Sequence, residues 1–501
     1  MSATLRVPRW CVVVAVVLWG GACRTGASVG GNAVPAGAPA PAAAAAVDLT
    51  KPPTLGPPPS LTLPPIVKRE LPNGLGLYIV EQHELPVVDF VLLVRTGGEA
   101  DPRDRGGLAS ITADMLDEGT TTRSALEIAD QEAYLGVELG TGSGWDASEV
   151  SLHTTTEQLD SALALFGDVV LHPAFPSAEL ERIRKERLTA LIQLRDRGPA
   201  IADRAFASIV FGDAHPYGHP LTGTDASVAA ITREDVQRFY ETYYRPNNAT
   251  LIVVGDVRPD DVERRVRALL GGWEARAVPA TEYGNPPAPT SATIVLIDKP
   301  HAPQSSFRIG AVGVARSTPD YFPIEVMNTI LGGVFTSRLN QNLRETHGYT
   351  YGASSGFAMR RSAGPFIARA EVVAAKTDSA LLEFMKELRA IHDTVPRVEL
   401  ERAKRYLELQ LPGQFESTGD IARQLAPLAL YDLPLDFYDQ YVRRVDQVTQ
   451  RDVQRVADRY VNPTTMQIVI VGDRASIEGK LRALDLAPVS VRSIDGTAVT
   501  P

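Results

Sequence analysis

Cysteine is almost missing from this chain: only two of 501 residues, Cys11 and Cys23, and both stand before residue 24. The body of the protein therefore has no disulfide framework and no thiolate metal site. Histidine is scarce as well, at eight residues. His215 and His219 are four apart, but Pro216 and Gly218 between them keep the two off a shared helix face. Positive charge is not in excess. The formal charge of −10 and a pI of about 5.4 exclude nucleic acid or an anionic membrane surface as the main partner. Beyond the first two dozen residues no apolar run is long enough to cross a membrane. There is also no Ser/His/Asp order, cysteine nucleophile or glycine-rich phosphate loop. What remains is ordinary globular composition, 44% apolar and 22% charged, in a chain long enough for two or three domains.

The N-terminus reads as an export signal over residues 1–23. Arg6 and Arg9 give a positive start, and "CVVVAVVLWGGA" is a short apolar core. Cys23 after Gly-Gly-Ala is read as a lipidation site, although Gly20 stands where an aliphatic residue is usual. The alternative is an ordinary signal peptide cut near Ala22. Residues 24–65, with "VPAGAPAPAAAAA" and "KPPTLGPPPSLTLPP", cannot build a core and form a semi-rigid Ala/Pro-rich linker. The expected location is outside the cytoplasm of a bacterium, as a periplasmic or outer-membrane-anchored lipoprotein. Membrane contact would run through the lipid alone.

Folded sequence begins near Ile66. Asn73-Gly74 inside "VKRELPNGLGLYIVEQ" predicts a hairpin, and "PVVDFVLLVRTGG" a buried strand. Helices are expected through Ser110–Asp117, through "SALEIADQEAYLG" and through "SAELERIRKERLTALIQLRDR". Thr232–Asp256, "TREDVQRFYETYYRPNNATLIVVGD", aligns without a gap on Thr449–Asp473, "TQRDVQRVADRYVNPTTMQIVIVGD". Each is an amphipathic helix, a Pro turn, a buried strand and a Gly-Asp stop. The folded chain is thus two similar halves, 66–278 and 290–490, joined by the Pro-rich stretch Arg276–Ala292. Each half is expected to be α+β, an antiparallel-rich sheet with helices on one face, the two halves facing each other around a chamber.

These features together resemble the insulinase/pitrilysin family of zinc peptidases, in its smaller bacterial, processing-peptidase-like branch. "LPNGLGLYIVEQHELPVV", the frame "GGLA…MLDEGT", "AHPYGHPLTGT", "SRLNQNLRETHGYTYGASS" and "ELERAKRYLELQL" carry the resemblance over about residues 66–490. In that family an inverted H-x-x-E-H motif on a helix binds zinc and supplies the general base. The resemblance puts the first histidine at Ser110, the base at Ala113 and the second histidine at Asp114. The third ligand falls on Leu191, or one turn earlier near Glu186. No catalytic residue and no metal is expected in this chain. A rival carboxylate set, Asp114, Asp117 and Glu118, reads as a solvated helix end.

The second half keeps the residues that correspond to the family's arginine–tyrosine pair, Arg344 and Tyr351. Both are donors suited to a peptide carbonyl or its oxyanion. In the bacterial branch the zinc motif and this pair are often divided between two chains. The resemblance therefore implies a non-zinc subunit of an exported heteromeric metallopeptidase, with zinc in a partner that carries an intact H-x-x-E-H and with peptides or unfolded proteins as substrate. The alternative is an inactive peptide-binding or scaffold protein of peptidase descent.

Overall fold

The structure, a computed structural model, describes residues 63–494. The export signal, Cys23 and nearly all of the expected linker lie outside the described residues. Six strands form the first sheet: β1 (Val67–Glu70), β2 (Gly76–Glu81), β3 (Val87–Val94), β4 (Glu138–Ser143), β5 (Ser148–Thr155) and β6 (Ala249–Gly255). Their order is β1-β2-β6-β3-β5-β4. The second sheet contains β7 (Thr293–Asp298), β8 (Gln304–Val312), β9 (Thr350–Phe357), β10 (Pro365–Val373), β11 (Gln467–Gly472) and β12 (Val489–Arg492), in the order β12-β7-β11-β8-β10-β9. No helix among the described residues is long and apolar enough to cross a membrane.

The repeat seen in the sequence is a repeat of structure. Thr232 and Thr449, 217 residues apart, each cap a helix, Arg233–Tyr243 and Gln450–Tyr460, through a reciprocal box with Asp235 and Asp452. The strands that follow, β6 and β11, are buried along their whole length. Each runs parallel to one neighbour, β2 or β7, and antiparallel to the other, β3 or β8. The halves differ at one margin. The first sheet is closed by the N-terminal hairpin, β1 antiparallel to β2; the second by β12, parallel to β7. At the hairpin, Gly74 takes φ +86, and the Asn73 side chain donates to Leu270 O at 2.8 Å. The turn is thereby fastened to the far end of its own half.

The α+β architecture is as expected, with each half's own helices on one face of its sheet; the other face is covered because the halves exchange a helix. Ile201, Phe206 and Val210, on the helix Gly198–Phe211 of the first half, pack on Val295, Ile297, Val469 and Val471 of the second sheet. Reciprocally, Ile421, Leu425 and Leu428, on the helix Thr418–Leu430, pack on Tyr78, Leu93, Ile252 and Val254 of the first sheet. Six large apolar side chains buried in this way contribute on the order of 10 kcal/mol, so the halves are one folding body. The buried Arg308 of β8 adds an ion pair across the same boundary, to the half-exposed Asp203 at 2.5 Å.

Candidate functional site

The helix that carries Ser110, Ala113 and Asp114 spans Leu108–Asp114. Its N-terminus is fixed by Asp101, whose carboxylate accepts from Gly107 N at 2.7 Å and Ala109 N at 2.8 Å. Gly107 has φ +93, and a Cβ there would stand 3.0 Å from Thr222 O, so only glycine brings this helix start against that loop. Leu108, Ile111 and Met115 point into the core. Ser110 and Asp114, four residues apart, share the half-buried outer face, while Ala113 is fully buried.

That outer face is occupied. Arg187, from the long helix Ser177–Leu194, places Nη2 where it donates to Asp114 Oδ2 at 2.5 Å and to Ser110 Oγ at 3.1 Å. Its Nη1 donates to Thr222 O at 3.4 Å. One guanidinium thus bridges the two positions that the resemblance equates with zinc-binding histidines. Burial pushes the Asp114 carboxyl up, and Arg187 opposes that rise. A guanidinium is a cation without an open coordination position, so it cannot activate water as a metal does.

The third-ligand position fares no better. Leu191, one turn beyond Arg187, is buried in the apolar core of the first half. Glu186 is exposed and accepts from Arg182 Nη1 at 3.0 Å. The rival carboxylates are also separately engaged. Glu118 pairs with Arg182, and Asp117 accepts from Thr141 Oγ1 of β4 at 3.5 Å, with burial pushing its carboxyl up to about 6. The helix ends at Asp114 rather than at Asp117, since the chain turns at Met115 toward the bridge between Thr120 and Pro173. Serine, alanine, aspartate and leucine around a guanidinium do not fit zinc, which takes three or four N, S or O ligands. Among the described residues no three His, Cys, Asp or Glu side chains form a set that could hold a metal.

Arg344 and Tyr351 lie in the second half. Arg344 sits in the π-helical turn Gln341–Thr346, with its guanidinium 4.2 Å from the Phe335 ring centroid and Nη1 3.2 Å from Glu345 Oε1. Tyr351 is on β9, an edge strand, and is 89% exposed. Its hydroxyl makes no hydrogen bond within the described residues. No hydrogen bond or ion pair joins this pair to Ser110, Ala113 or Asp114. His215 and His219 flank a short turn, Pro216–Gly218, and burial lowers the pKa of both. His215 Nδ1 accepts from Tyr217 N at 3.0 Å, a structural role.

Comparison with known proteins gives the family. The model described as Insulinase (Peptidase family M16) matches residues 78–223, and that described as Peptidase M16 inactive domain matches residues 230–407. The chain belongs to the insulinase family, peptidase family M16. It is 27% identical to an uncharacterized zinc protease of Mycobacterium leprae, over 79% of this chain and 89% of that one. An uncharacterized zinc protease of Bacillus subtilis is 23% identical over 69% of this chain and 84% of its own. Among solved structures, an M16 inactive domain from Pseudomonas fluorescens superposes with a TM-score of 0.77 at 28% identity, covering 81% of this chain and 98% of that one. A protease from Helicobacter pylori has a TM-score of 0.76 at 20% identity, over 82% and 100%, and shares the fold. This M16 chain has a peptidase-like scaffold of the inactive-domain type.

Proposed function

We propose that the chain is the non-zinc subunit of an exported heteromeric metallopeptidase, contributing Arg344, Tyr351 and part of the chamber wall to a zinc-bearing partner. The observation that carries this reading is the contrast between two sets of residues. The zinc positions are closed by Arg187, whereas Tyr351 holds a free hydroxyl on an exposed edge strand. A phenol kept in solvent without a partner has no packing role, and it is a competent donor to a substrate carbonyl. The free edges of β4 and β9 offer backbone donors and acceptors to an extended peptide. Zinc and the general base would belong to the partner.

The test is co-expression with a zinc-bearing M16 chain from the same cell and cleavage of a quenched fluorescent peptide library. Tyr351→Phe removes one hydroxyl and Arg344→Ala one guanidinium. Each should lower turnover about a hundredfold while assembly and zinc content stay unchanged. Unchanged turnover in both variants would favour a scaffold of peptidase descent. Loss of assembly would make the two residues packing groups.

A further inference from the structure

Two large cavities meet at a cation that has no hydrogen-bond acceptor among the described residues. Arg360 lies just beyond β9, in the turn to β10. Its guanidinium carbon is 4.5 Å from the ring centroid of Trp145 and 4.4 Å from that of Tyr217, both from the first half. The two rings hold the guanidinium through cation–π contact. Among the described residues Nη1 is buried without a hydrogen-bond partner and the side chain makes no ion pair. Burial pulls the pKa of this arginine down.

The carboxylate beside Arg360, and two on the wall of the larger cavity, are engaged elsewhere. Asp146 accepts from Tyr217 OH at 2.7 Å, from Tyr431 OH at 3.0 Å and from Arg361 N at 2.6 Å. It moderates the charge of Arg360 through space without bonding to it. Asp203 and Asp225, on the wall of the larger cavity, are taken by Arg308 and Arg195.

Trp145 and Arg360 line both cavities, of about 1060 and 760 Å³. The smaller cavity runs along the free edge strand β4, where Gly142 is open: a Cβ there would meet nothing within 4 Å. On the other side of Trp145, in the larger cavity, the His219 ring stands 5.6 Å from the indole; its Nδ1 donates to Pro220 O at 3.3 Å, so its buried Nε2 is an acceptor, open to a peptide N–H rather than to the carboxylate. A buried N–H without an acceptor is costly, and a carboxylate is the acceptor that a planar guanidinium pairs with best.

We propose that Arg360 anchors a carboxylate-binding subsite where the two cavities join, taking the carboxylate of an extended peptide that lies along β4. The carboxylate comes from an acidic side chain or from the peptide's C-terminus. The inference rests on the reading of the chamber as a peptide-binding space and names a chemical class of substrate for it.

The experiment uses the full chain and four pools of decapeptides labelled with an uncharged BODIPY dye and randomised over uncharged residues. The pools carry a central Glu or Gln, and a C-terminal acid or amide. Fluorescence polarisation should show pools with a matching carboxylate binding on the order of tenfold more tightly than the Gln-amide pool. The central-Glu and free-acid arms tell which carboxylate is used. Arg360→Met should erase the preference, so that all four pools bind alike, and Arg360→Lys should retain part of it. Equal binding of all four pools by the wild-type chain, which needs no variant to fold, would overturn the subsite and leave the peptide-binding reading standing. A preference that survives Arg360→Met would overturn the residue assignment. Failure of every pool to bind would overturn both readings.

Discussion

Arg187→Met tests the filled metal position at its weakest joint. The side chain of Arg187 is 14% exposed and that of Asp114 is 36% exposed. Breaking a fully buried ion pair typically costs about 3–5 kcal/mol, and losing an exposed one about 0–1 kcal/mol. This pair lies between those limits, and Ser110 loses a donor at the same time. The expected loss is therefore about 1.5–2 kcal/mol. Methionine keeps most of the aliphatic stem, so packing contributes little to that figure. Equilibrium urea unfolding at pH 7 measures it, with Asp114→Asn and the double variant completing a cycle. The coupling should be about 1 kcal/mol with an unchanged denaturant slope. Added zinc should restore none of the loss, since Ser110 and Asp114 alone make a poor site. Strictly additive single variants would show that the guanidinium does not bind these two side chains, and the argument for a filled site would fall.

Two other outcomes follow from the same geometry. The triple variant Ser110→His, Ala113→Glu, Asp114→His should not hydrolyse peptides alone. Leu191 supplies no third ligand, and Arg187, having lost its carboxylate, would face the metal; zinc-dependent cleavage by this variant would show that the third-ligand assignment is wrong. Glu99 is buried beside β3, and burial pushes its carboxyl up to about 8, against a donor at Gly97 N and the nearby Arg361. A raised acid contributes stability that is complete below its unfolded pKa, near 4.5, and is lost as pH rises through about 8. Glu99→Gln stays neutral, so its stability relative to wild type should improve steadily from pH 5.5 to 8.5 in urea unfolding. A gap that stays constant, or moves the other way, contradicts the assignment.

Much of the fold was legible because it is written in local pattern. The Asn-Gly hairpin, the buried strands β3, β6 and β11 and the repeat with its threonine caps are short-range signals. The helix exchange was not, because it is set by which sheet a helix meets, which its own periodicity does not encode. The one hint was that Gly198–Phe211 and Thr418–Leu430 precede the repeated segment at matching places in the two halves. At the site, the degenerate positions Ser110, Ala113 and Asp114 were readable from the motif frame. Arg187 was not, since "ERIRKERLTALIQLRDR" holds several arginines on a mostly exposed helix. Its four-residue spacing from Leu191, which puts both on one face, was the signal that could have singled it out. The helix end at Asp114 was missed by three residues, because tertiary pairing of Thr120 with Pro173 decides where the chain turns.

The zinc position of this M16 chain is closed by its own side chains, with Arg187 bridging Ser110 and Asp114. The most direct measurement is the zinc content of the purified full chain after equilibration with excess zinc and gel filtration, read by elemental analysis beside peptide cleavage. No stoichiometric zinc and no cleavage by the chain alone are expected. One tightly held zinc per chain, removed by a chelator together with an activity and restored with it, would contradict that closure.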